Sequence, residues 1–212
     1  MNVLLELQKF AQHPITTQLL LGVLKDYERP FDKISELVHQ GYLIQLRRGM
    51  YILGDQLNVQ RPELSLISNH LYGPSYISLE TGMFFWGLIP EKVYVISAMT
   101  MKQSKNIETP VGIFNYRHVS KEYYWLGIES QEITSRQTIL VGSPEKCICD
   151  KIITTSGVML RSKNQAYQFL VEDMRIDLES ISALNLSLIE TILPFCSKKG
   201  SIEKLIEFID SL

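Results

Sequence analysis

The stretch from Pro30 to Leu53, PFDKISELVHQGYLIQLRRGMYIL, leaves the backbone few choices. Phe31, Ile34, Leu37 and Val38 recur at helical spacing, which predicts one apolar stripe on a short helix. Pro30 suits the first turn of that helix, and Gly41 suits its left-handed C-terminal cap. Two strands follow, Tyr42–Leu46 and Met50–Leu53. Arg47-Arg48-Gly49 turns one into the other, with Gly49 supplying the positive φ of a tight hairpin. Upstream, residues 2–12 read as a helix broken at His13-Pro14. Thr16 or Thr17 then caps a second helix through Lys25. Three helices and a hairpin in this order predict a winged helix-turn-helix.

Asp55–Pro62 reads as a polar linker. Beyond it the pattern changes. Pro62–Leu71 and Leu79–Trp86 are expected helices, and Tyr72-Gly73-Pro74 between them is a turn. Lys92–Ala98, Gly112–Val119 and Gln137–Val141 are rich in β-branched and aromatic residues and read as strands, with Tyr123–Ile128 a further candidate. Ser143-Pro144-Glu145 starts a helix by capping serine, first-turn proline and first-turn acid. From Ser162 onward the chain reads as helical. The expected fold class is α+β: a winged helix-turn-helix over residues 1–58, then a mixed α/β domain over 59–212 with a helical C-terminal end.

The net charge of −2 gives no bulk attraction to nucleic acid or anionic lipid, so any DNA affinity needs a local patch. No apolar run reaches the roughly 20 residues of a membrane span, and a soluble cytoplasmic protein without membrane contact is expected. Cys147, Cys149 and Cys196 follow no metal or disulfide spacing and read as reduced thiols. His13, His39, His70 and His118 are scattered, so no metal or other cofactor is expected.

The local patch is sought on the third helix and the hairpin. Lys33, His39 and Gln40 face away from the apolar stripe, where Gln40 suits adenine and Lys33 guanine or phosphate. Asp32 and Glu36 share that face and would repel phosphates unless paired. Residues 1–60 balance six cations against six acids. Arg47 and Arg48 carry more weight, because adjacent arginines at a hairpin tip have no core role and can hold phosphates or enter a minor groove. Lys92, Lys102, Lys105, Arg117 and Lys121 are a second basic set, with Glu91, Glu108 and Glu122 interleaved. Glu145 and Asp150 on one helix raise a metal-dependent nuclease, though five-residue spacing aligns them poorly. The aromatic runs Phe84-Phe85-Trp86 and Tyr123-Tyr124-Trp125 read as packing residues before base-stacking ones.

Four ordered segments resemble the AbiEi-type antitoxins of type IV toxin–antitoxin, or abortive-infection, systems. They are LIQLRRGMYIL, YGPSYISLETGMFFWGLIP, VGIFNYRHV and ILVGSPEKCICDKI. Within them Arg48-Gly49 with Tyr51, Tyr76-Ile77-Ser78, and Pro144-Glu145-Lys146 with Asp150 match the family pattern. The resemblance implies a winged-helix autorepressor acting on operator DNA, usually at inverted repeats. It also implies a second domain that opposes a nucleotidyltransferase toxin without a stable complex, and no enzymatic activity. A stand-alone regulator and a protein-interaction module are the alternatives.

Overall fold

The computed structural model describes residues 3–91 and 93–212. Asn2, in the expected first helix, and Lys92, at the start of an expected strand, lie outside the described residues.

The N-terminal part runs α1 (Val3–Gln8), β1 (Ile15–Thr16), α2 (Thr17–Val23), α3 (Pro30–His39), β2 (Leu43–Arg47) and β3 (Met50–Leu53). Local chemistry sets the helix starts. The Thr16 hydroxyl accepts from the Leu19 amide at 3.3 Å, and Pro30 occupies the first turn of α3. The first two helices are shorter than the sequence suggests, because turns occupy residues 9–12 and Leu24 caps α2. One strand is unexpected from the sequence. The two residues of β1 pair with β3, so the hairpin is the larger part of a three-stranded sheet in the order β1-β3-β2.

The second part begins with α4 (Leu64–Leu71), β4 (Ser75–Ile77), α5 (Leu79–Phe85), β5 (Val95–Thr100), β6 (Lys105–Thr109) and β7 (Gly112–His118). It continues with α6 (Lys121–Tyr124), β8 (Ile128–Thr134), β9 (Gln137–Gly142) and α7 (Pro144–Thr154). The six strands form a mixed sheet in the order β6-β7-β5-β4-β9-β8. α8 (Lys163–Tyr167), a π-helical turn over Gln168–Asp173, α9 (Leu178–Ser182), α10 (Leu186–Ile192) and α11 (Lys199–Ile209) complete the chain. The strand expected over Tyr123–Ile128 is instead α6 followed by the start of β8. The Ser120 hydroxyl accepts from the Tyr123 amide and caps a helical turn that buries Tyr123 and Tyr124. No helix among the described residues is long and apolar enough to cross a membrane.

The six-stranded sheet is apolar on both faces. Tyr76 and Met99 face α5, α7 and the C-terminal helices. Ile77, Ala98, Phe114, Tyr116 and Val141 face the other way, toward α4 and the hairpin. All four residues of β3 are buried, and strand alternation explains how. Tyr51 and Leu53 pack among α1, α2 and α3 with Leu7, Leu20 and Ile34. Met50 and Ile52 point oppositely and join Leu46 against the six-stranded sheet. The hairpin body is therefore a joint between the two parts of the chain, with β3 wholly buried and Gln45 of β2 and the turn arginines left exposed. Phe31 departs from its expected place on the α3 stripe. It lies in the first turn, beyond the reach of this core, and is 62% exposed, whereas Ile34 and Leu37 are buried.

Candidate nucleic-acid interface

The hairpin turn is held firmly. Gly49 adopts φ +83°, and its carbonyl accepts from the Thr17 amide at 3.1 Å, which fastens the turn to the start of α2. A register shift between Gln45 and Arg47 opens the ladder just before the turn. Arg47 and Arg48 are both exposed. The only side-chain bond at the tip runs from Arg47 Nη1 to the Arg48 carbonyl at 3.5 Å, and neither guanidinium meets a carboxylate among the described residues.

The α3 residues are arranged differently. Lys33 Nζ lies 2.8 Å from Glu36 Oε1, and Gln40 Nε2 donates to the same oxygen at 3.0 Å. The Lys33 bond holds the Glu36 carboxyl below its usual range, and Glu36 in turn raises the Lys33 ammonium. Arg29 pairs with Asp32 at 2.5 Å. Both acids that would repel phosphates are thus partly neutralised within the helix. These exposed pairs are easily exchanged for other partners and do not freeze the surface. His39 faces a shallow cleft of about 380 Å³ between α3 and the hairpin, shared with Gln45 and Tyr51. The structure therefore gathers Lys33 and Gln40 around Glu36, sets His39 against β2, and leaves Arg47 and Arg48 together at the tip.

Sequence alone groups Lys102 and Lys105 with other cations but does not join them to Arg47. In the fold, a cleft of about 430 Å³ has Arg47 on one wall and Lys102, Lys105 and Tyr72 on the other. The signal is present in the sequence only as scattered lysines, because β6 does not read as a strand.

The motif residues of the second part build an interior network. Asp150 is fully buried and accepts from Ser78 Oγ at 2.6 Å, Tyr123 OH at 2.7 Å and Tyr76 OH at 3.0 Å. Lys146, also fully buried, donates to the Tyr123 carbonyl at 2.7 Å. Its ammonium lies 3.1 Å from the centre of the Tyr123 ring and 4.0 Å from Asp150 Oδ1. Burial raises the Asp150 carboxyl against the pull of Lys146 and the three hydroxyls, and burial lowers Lys146. Glu145 accepts from Ser143 Oγ at 2.7 Å and from the Asn185 amide at 2.8 Å, tying the start of α7 to the loop before α10. Both carboxylates considered for nuclease chemistry are committed to protein donors. Among the described residues no cluster of three or more metal-ligating side chains occurs. The three cysteines are free and buried.

Neither a protein-family model nor a curated protein matches the chain. A solved structure, the RV2827C protein from Mycobacterium tuberculosis, is similar in fold, with a TM-score of 0.52 and 12% sequence identity. The match covers 98% of this chain and 79% of that one.

Proposed function

We propose that this chain is a duplex-DNA-binding transcriptional repressor whose N-terminal part, residues 1–58, acts as a winged helix. In this reading Arg47 and Arg48 hold phosphates or enter a minor groove from the hairpin tip. Lys33, His39 and Gln40 read or position from α3. The observation that carries the proposal is the pair of exposed, carboxylate-free guanidinium groups on a turn anchored to α2. Anchoring lowers the ordering cost of binding, because the turn is already fastened to the start of α2.

The resemblance of the sequence to AbiEi-type antitoxins extends the proposal. The chain would repress its own operon at inverted repeats and oppose a nucleotidyltransferase toxin without forming a stable complex. The motif residues Tyr76, Ser78, Lys146 and Asp150 support the fold of the second part rather than a reaction. Selection from a random duplex library by the full chain tests the DNA reading. A discrete, two-fold repeated motif is expected. If no sequence is enriched, a protein partner becomes the better reading, and the exposed Phe31 on α3 is where it would dock.

A further inference from the structure

We infer that the second part of the chain grips the same duplex, with Lys102 and Lys105 binding backbone phosphates beside those held by Arg47 and Arg48. This inference rests on the DNA-binding reading above and adds a second contact surface to it.

Strand geometry separates the charges. Lys105 pairs with Tyr116 across the β6–β7 ladder, so its side chain lies on the sheet face that the hairpin covers. Ile107 shares that face and lines the cleft, whereas Asn106 and Glu108 alternate to the opposite one. The interleaved acid is therefore removed from the cationic side. Lys102 reaches the cleft from the loop after β5, where its ammonium donates to the Gly73 carbonyl. Lys102 and Lys105 sit 5.1 and 5.7 Å from the centre of the Tyr72 ring, which gathers both ammonium groups at one place.

Arg47 closes the cleft from the other side. It stands at the end of β2, and its charge is felt by the Tyr116 hydroxyl beneath. No carboxylate among the described residues lines the cleft. Among the described residues none of Arg47, Arg48, Lys102 and Lys105 enters an ion pair. Uncompensated like charges gathered at one cleft repel, and an anion relieves that repulsion. Together with Arg48 beside Arg47, four cations from the hairpin tip, the loop after β5 and the β6 edge of the sheet bring more positive charge than one phosphate group neutralises. A polyanion with regularly spaced phosphates matches this charge, and the tip already faces one in the reading above. The two lysines lie over the Tyr72 ring, so that ring is not free to stack on a base.

The test uses the full chain and a fluorescein-labelled duplex of about 30 base pairs of random sequence, titrated by anisotropy between about 50 and 200 mM salt. Lys102→Gln with Lys105→Gln is expected to weaken binding and reduce the salt slope by about two, near 0.9 for each phosphate no longer neutralised. Lys102→Arg with Lys105→Arg is expected to restore the slope. Lys105→Gln alone, which removes no hydrogen bond, is expected to reduce it by about one and serves if the double variant misfolds. An unchanged slope in the glutamine variants, or no recovery in the arginine variant, overturns the inference. If Arg47→Ala with Arg48→Ala still lowers the slope in that case, the winged-helix reading stands without it. Failure of the unaltered chain to bind the duplex overturns both.

Discussion

The Tyr76 hydroxyl donates to the Asp150 carboxylate across 74 positions of sequence, joining β4 to α7 at a depth that no solvent reaches. Ser78 and Tyr123 complete the set of donors, and Lys146 lies behind them. Removing the acceptor is more damaging than removing the ammonium. Asp150→Ala strands three hydroxyls and a buried cation, and is expected to cost about 3–5 kcal/mol. Lys146→Met leaves Asp150 with its three hydroxyl donors and is expected to cost less. Urea denaturation of both variants checks the ranking, and an equal or reversed order contradicts it.

Gly82 lies where α5 meets α7, and a Cβ placed there would overlap Cys147 Sγ. Gly82→Ala is expected to destabilise the fold by about 1–3 kcal/mol through overpacking. In a Cys147→Ala background the added methyl finds room, so its penalty shrinks. A double-mutant cycle measures that coupling, and strictly additive effects rule out the clash.

Burial pushes the Tyr116 and Tyr124 hydroxyls up to about 12. At Tyr116 the bond to Ser68 and the charge of Arg47 pull the other way but do not prevail. Because the folded values lie above the ordinary value of 10.0, the folded state holds more protons between these limits. The stability tied to these hydroxyls is fully present below pH 10 and is lost as pH rises toward about 12. Denaturation midpoints that stay level from about pH 9 to 11.5 contradict this.

Ile52 is fully buried where the hairpin meets the six-stranded sheet. Ile52→Ala is expected to cost about 2–5 kcal/mol, as large-to-small changes in cores do. The hairpin body packs on both sides, so the chain is expected to unfold in one transition. The two tryptophans, Trp86 and Trp125, lie in the second part, while far-ultraviolet circular dichroism reports all the helices. Coincident curves from the two probes support a single cooperative unit, and separated midpoints contradict it.

The elements readable in the sequence are those fixed by neighbours in the chain. Pro30 and Ser143-Pro144 start their helices as capping chemistry dictates, and Gly49 turns the hairpin with a positive φ. The elements that escape such a reading depend on distant partners. Ile15–Thr16 is a strand only because β3 lies beside it, and Lys105–Thr109 is polar enough to read as a loop until β7 pairs with it. The aromatic pair Tyr123-Tyr124 has the composition of a strand but serves a capped helical turn. At the candidate interface, Arg47-Arg48 is visible as a local pattern. The approach of Lys102 and Lys105 to Arg47 is not, because it needs the hairpin and the β6 edge to meet in space.

The central claim is that charge concentrated at the hairpin tip grips a duplex, in a chain with almost no net charge. The most direct test is an anisotropy titration of the full chain against a duplex recovered by its own selection, comparing the unaltered protein with Arg47→Ala plus Arg48→Ala over a range of salt. Weaker binding is predicted, with a salt slope smaller by about two, because the counterions of two phosphates are no longer released. Affinity and slope both equal to those of the unaltered protein would contradict it.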